Sequence, residues 1–434
     1  MRSNFAIADQ GMHLLLWLCI ALQFGTTAAQ DCPQRDLVLE RQSQIDSFPL
    51  LFPDCSTLAG SLTIQEAKIG EIVSLTALDQ INLIQGFFEI TENRSLENLD
   101  GLESIERIEG RLVLQSNQSL SNMHALSSLL HVGESILFSD NKSLENFPAF
   151  TKLHKANADL TITRNPLLRS LSGLDSLREV VGGVLINGNN AITGLAGLNQ
   201  LGKVGENFHI SESPSLAELS GLDSLHYIGA DLIIDNNSSL SSLRGINRLE
   251  NIGGFLHLIN CQSLVDLQGL SGLKSIEGLL QIYNNPSLTT LNGLDDIDHE
   301  SIRDLAIIDC PKLNVCDVAS ICGYLRAAPS KHSIFENEQG CNDRDEILSG
   351  CSEGGPTVFP GSRNYSFYPN PTFGRIRFSG DVGNASYTIR DVRGRVLRSA
   401  PFENLIDLSL MAPGVYSVAL EGEEETIIGP VVKL

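Results

Sequence analysis

From residue 88 onward the apolar positions return every 24 residues. The segments FEITENRSL (starting at 88), LVLQSNQSL (112), ILFSDNKSL (136), LTITRNPLL (160), VLINGNNAI (184), FHISESPSL (208), LIIDNNSSL (232), LHLINCQSL (256) and LQIYNNPSL (280) hold one register. LAIIDCPKL follows at 305 with one extra residue, and LTIQEAKI at 62 is a looser first copy. In the coil at 232, Leu232 and Ile234 alternate to one side of a short strand. Leu240, Leu243, Ile246, Leu249 and Ile252 follow, and Gly253-Gly254 closes the coil. Seven apolar side chains thus point to a common axis. Their burial does not offset the entropy lost in ordering a whole coil, so each coil must stack on its neighbours. The prediction is a mainly β, right-handed, leucine-rich-repeat or β-helix-like solenoid of 24-residue coils with capped ends.

One polar position runs through the coils. Asn93, Asn117, Asn141, Asn165, Asn189, Asn237 and Asn285 recur where the chain leaves the strand. An Asn side chain both donates and accepts, so it can satisfy backbone groups inside the stack. Ser213, Cys261 and Cys310 take the same place with small, buriable groups. Asn93, Asn117, Asn141 and Asn237 also read as N-x-S glycosylation sequons, but the serine belongs to the repeat and the Asn is expected inside. Cys261 and Cys310 lie two coils apart, about 9–10 Å at ordinary strand spacing. That is too far for a disulfide, so both are expected to be unpaired core residues.

The pattern L-x-I-x-x-N-x-S-L-x-x-L-x-G-L-x-x-L-x-x-I-G-G, over about residues 55–315, resembles the receptor L domain of growth-factor-receptor ectodomains. The resemblance implies ligand binding or adhesion. The surface available for it is the outward face of the strands. Val113, Leu137, Leu185, His209, Ile233 and His257 fall on its central row and Tyr283 on the next, a mix of aliphatic, His and Tyr groups suited to a protein or glycan. The same row also fits a plain preference of β-branched residues for strands.

The ends are built differently. Residues 1–29 read as a signal peptide, with Arg2, the apolar run Leu14–Gly25 and a small-residue cleavage site after Ala29. Export permits disulfides. An N-terminal cap (30–61) precedes the solenoid (62–315), with Cys32 and Cys55 expected to pair over the first coil. A Cys-rich helical cap (316–351) follows, spaced C-x5-C-x18-C-x9-C. Cys316–Cys341 with Cys322–Cys351 is the preferred of three connectivities. Asp317 can cap one short helix there, and Asp343 with Glu346 a second. Zinc is a poorer use of these cysteines, because their spacings are too wide for the usual zinc knuckles.

Residues 352–366 form a Gly/Pro/Ser-rich linker, and 367–434 carry short alternating strands expected to form an Ig-like β-sandwich of about seven. Arg393-Gly394 and Pro413-Gly414 mark turns. Tyr368-Pro369-Asn370-Pro371 with Gly374, Asp391-x-x-Gly394-Arg395, Gly414-Val415-Tyr416 and the closing Val431-Val432-Lys433 resemble the C-terminal sorting domain of type IX secretion cargo. The resemblance implies transport across an outer membrane, with the body displayed on the surface or released.

Charge and chemistry narrow the function further. Residues 30–365 hold 22 Lys and Arg against 43 Asp and Glu, a net charge of −21. Such a surface repels phosphate backbones, which argues against nucleic acid as a partner. No segment beyond the signal is apolar enough to span a membrane. No H-E-x-x-H, G-x-S-x-G, phosphate loop or C-x-x-C occurs, and no cofactor or metal is expected. The acidic run Asp295–Glu300 lacks the glycine and final glutamate of a calcium loop and reads as a solvated bulge. The reading is a non-catalytic, secreted, surface-displayed binder or adhesin. A polysaccharide-acting surface enzyme and a purely structural surface-layer component are the alternatives.

Overall fold

The computed structural model describes residues 31–147, 150–327, 331–351, 366–368, 375–379, 386–390, 395–402, 405–412, 414–421 and 426–433. Its body is a β-solenoid. One 13-stranded parallel sheet runs its length, each strand pairing with the strand one coil later. The register is the sequence period itself: Ile234 pairs with Leu258 and with Ile210, each 24 residues away. The late coil keeps its pairing, with Leu280 opposite Leu305. A six-stranded and a four-stranded sheet of two-residue strands form further walls. The seven apolar residues of the coil at 232 are all at most 2% exposed, and one continuous core runs from Leu39 to Cys351.

Satisfied asparagines fix the turn off the large sheet. Asn165 donates its backbone N–H to Asn189 Oδ1 (3.0 Å) and its side-chain amide to the carbonyls of Phe138 and Thr163 (both 3.1 Å). Its own Oδ1 accepts the N–H of Asn141 at 3.0 Å. Every ladder Asn is fully buried, which removes Asn93, Asn117, Asn141 and Asn237 from the reach of a glycosylating enzyme. Cys261 and Cys310 are buried free thiols in this ladder, both pushed up to about 12 by burial. The residue before each rung takes a left-handed backbone: Glu92, Ser116, Asp140, Arg164, Gly188, Glu212, Asn236, Asn260, Asn284 and Asp309 all have φ between 49° and 67°. No composition marks this column, because its residues range from Arg to Glu. Glycine is needed elsewhere in the coil. At Gly245 φ is 116° and a Cβ would lie 2.0 Å from the Leu219 carbonyl oxygen.

Both caps extend the sheet. The N-terminal segment supplies Leu37–Leu39, pairing with Leu62–Ile64, and the helix Gln42–Leu51, which buries Ile45 and Phe48 against the first coil. A Cys32–Cys55 disulfide closes it. After the coils come the helix Ala319–Ala327, the strand His332–Asn337 and the helix Arg344–Gly350, tied by Cys316–Cys341 and Cys322–Cys351. The cap is therefore not helical alone. Its strand pairs with Asp304–Cys310, and Asn337 continues the ladder by accepting from Cys310 N–H (3.1 Å) and donating to the Ile307 carbonyl (2.8 Å). Asp343 caps the last helix by accepting from Glu346 N–H at 2.8 Å.

The described residues of the tail form seven strands in a three-stranded and a four-stranded antiparallel sheet. Ile376, Tyr387, Ile389, Ile406, Tyr416, Val418 and Val431 draw strands of both into one core. Tyr416 donates to the Ala412 carbonyl at 2.6 Å, Arg395 precedes a strand, and Tyr368 and Gly414 lie within strands. Pro369, Asn370, Pro371, Gly374, Gly394 and Pro413, with the signal segment 1–29 and the linker through 365, lie outside the described residues.

Candidate functional site: the outward face of the sheet

Alternation puts one side of every strand on the core and the other outward. The parallel register then stacks equivalent outward residues into rows. Val113 lies opposite Leu137, Leu185 opposite His209, and Ile233 between His209 and His257. Tyr283 sits one row over, opposite Ile259. Six of the seven expected face residues therefore share one line. They do not share one environment. Leu137, Leu185, His209 and Ile233 are half-buried, but Val113 is 7% exposed and His257 only 4%. Ile233 separates the two histidines, and no cluster of three His, Cys, Asp or Glu able to hold a metal occurs among the described residues.

Two zones stand out. Toward the N-terminal end a depression of about 370 Å³ opens on the face, lined by Glu89, Arg111, Val113, Gln115, Leu137 and Thr161 among others. Arg111 donates Nε and Nη2 to Glu89 Oε1 at 2.9 and 2.7 Å and stacks over the Phe87 ring at 4.8 Å. The floor is aliphatic and one wall carries a fixed ion pair.

Toward the C-terminal end the face is buried and polar. Gln281, opposite His257, has no exposure, and neither atom of its amide has a hydrogen-bond partner. His257 Nε2 and His209 Nε2 are also unpartnered. Burial drives His257 down to about 4 and also lowers His209, so both are neutral above pH 7. Asp235 is pushed up to about 6, chiefly by burial, with the charge of Glu212 adding to it. Phe255, 37% exposed, stacks on the His257 ring with centroids 5.4 Å apart. Gln281 and Asp235 were visible in the rows of aligned strands. Their burial was not, because it depends on neighbours from three coils.

The acidic run behaves as a bulge. Asp295, Asp296, Asp298 and Glu300 are exposed, and Asp296 pairs with Lys274 at 2.6 Å.

The fold and this face define the body as a solenoid presenting one long sheet surface, joined to a separate sandwich. Residues 366–433 of that sandwich match the family described as secretion system C-terminal sorting domain. This tail marks the chain for type IX export, to the cell surface or the extracellular space. No curated protein matches the chain. No helix among the described residues is long and apolar enough to cross a membrane.

Proposed function

We propose that the exported protein is a non-catalytic recognition or adhesion module whose outward sheet face binds a protein or glycan. The depression between Glu89 and Thr161 carries the reading. It joins an aliphatic floor to an oriented ion pair on a rigid sheet, which is the make-up of a binding surface. The likeness of the repeat to receptor L domains points the same way. The test is a glycan and protein array screen of the exported protein beside variants carrying Leu137→Asp, Leu185→Asp or Ile233→Asp. Binding should fall at least tenfold in one or more, with unchanged circular dichroism. Binding indifferent to all three changes would sink the sheet-face reading.

One observation favours the rival reading of a polysaccharide-cleaving enzyme: Asp235, held protonated to about pH 6 beside Glu212, has the character of a general acid. Reducing-end release from polysaccharides by the exported protein, lost in Asp235→Asn, would select it.

A further inference from the structure

We infer that the patch around Gln281 is a subsite for a neutral saccharide, which packs on Phe255 and exchanges hydroxyl hydrogen bonds with the Gln281 amide and His257 Nε2. The inference rests on the proposed sheet-face function and names its ligand class. A buried amide lacking partners for both its N–H2 and its oxygen is costly to keep, and Gln281 is such a group. The next residue along the row, His257, adds a third unpartnered polar atom in the same place. Single buried atoms such as Glu71 Oε2 and Ser320 Oγ also lack partners, but Gln281 lacks them at both ends of its amide, whereas the side chain of each ladder Asn is paired. An unmet need concentrated at one spot of the outward face is what a ligand would answer.

The needs specify the ligand. The amide oxygen requires a donor and the amide nitrogen an acceptor. A carboxylate or phosphate only accepts, and it would approach a face on which the negative charge of Glu212 already acts at His209 and Asp235. An apolar ligand answers neither need. A peptide strand carries both groups, but Gln281 lies mid-strand with neighbouring strands paired on both sides, so no edge is open to receive one. A sugar hydroxyl donates and accepts through one atom, and the apolar face of a pyranose packs on an aromatic ring. Phe255 supplies that ring, stacked on His257 with its outer side in solvent. Gln281 itself has no exposure, so binding must shift the side chains around it.

The experiment pairs two readouts on the full exported chain carrying Gln281→Leu. Neutral oligosaccharides of glucose, mannose and galactose, with uronic-acid and sulfated oligosaccharides as anionic comparators, are titrated calorimetrically. A neutral oligosaccharide should bind, the anionic ones should not, and Gln281→Leu should weaken binding at least tenfold while raising the melting temperature by about 1–3 °C. Phe255→Ala should weaken the same ligand without raising the melting temperature. A neutral sugar whose affinity is untouched by Gln281→Leu but lost in Leu137→Asp would overturn this subsite and leave the sheet-face function standing. Binding of proteins alone would do the same. A Gln281→Leu variant that melts lower and binds as before would show the amide to be a structural group.

Discussion

Buried polar side chains occur in two places on the large sheet, in the ladder where the chain leaves the strands and at His257 and Gln281 on the outward face, and the two places differ in one respect. Asn165 is fully buried with its donors and acceptors paired to the coils on either side, and the side chains of its equivalents are buried and paired as well. Gln281 is equally buried and its amide has no partner. The first arrangement is what stability selects, because each rung from Asn93 to Asn165 ties three coils. The second works against stability, so its retention calls for another reason. Burial alone therefore does not separate scaffold from site in this molecule; satisfaction does.

The largest break in that comparison is to make the ladder resemble the patch. Asn165→Ala orphans the Asn141 N–H and the Phe138 carbonyl in the interior. It should cost about 2–5 kcal/mol, read from guanidinium unfolding of the exported protein. Gln281→Leu should move the same measurement the other way. Equal destabilisation by both would erase the distinction.

A second test concerns where the ladder ends. Its last rung is Asn337, which also donates to the Cys341 carbonyl at 3.0 Å. The Cys316–Cys341 disulfide closes a separation of 25 residues around it. Replacing both cysteines by serine should cost about 3 kcal/mol. Hydrogen exchange should show the Cys310 amide losing protection before amides of the central coils. Uniform loss along the solenoid would show that the cap does not act on the ladder locally.

The repeat, the ladder and the tail were legible in the sequence because each is written as a period or an ordered motif. The Asn at 93, 117, 141, 165, 189, 237 and 285 announces itself by spacing, and its burial follows from being polar amid leucines. Asn337 was not legible. It lies 27 residues after Cys310, outside the register, in a segment whose cysteines and capping residues spoke for helices. The left-handed column escaped for a different reason: φ there is imposed by the stacking of coils and not by residue type, as Arg164 and Glu212 show. For the candidate site, the rows could be read from alternation, but not which members are buried. Neighbours such as Phe255, which stacks on His257 one coil before Gln281, decide that.

Titration separates the groups on the outward face with a smaller effect. Asp235 titrates near 6 in the fold against 3.8 as its ordinary value, so its contribution is full below 3.8 and lost as pH rises through about 6. His257 is held near 4 against 6.5, so its contribution is present above 6.5 and lost as pH falls toward 4. The two slopes oppose one another between pH 4 and 6.5. Asp235→Asn removes the first. The variant should gain on the parent as pH rises from 4 to 6, by roughly 1–2 kcal/mol at pH 7 after allowance for solvent screening. A constant difference across that range would mean that Asp235 ionises as freely in the fold as in the unfolded chain.

The smallest effect comes from completing the ladder. Cys261 occupies a rung position with its thiol 3.9 Å from the Ile234 carbonyl, the group that an Asn there would engage as Asn285 engages Leu258 at 2.9 Å. Its backbone N–H is already accepted by Asn285 Oδ1, so the rung after it is intact. Cys261→Asn should add an amide that donates to Ile234 and accepts from Asn237 N–H, stabilising by about 0.5–1.5 kcal/mol. A melting temperature that falls instead would mean that the coil has closed around the smaller thiol, leaving no room for an amide. The gaps at Ser213, Cys261 and Cys310 would then be shaped positions of the scaffold, and pairing alone would no longer account for what the ladder excludes.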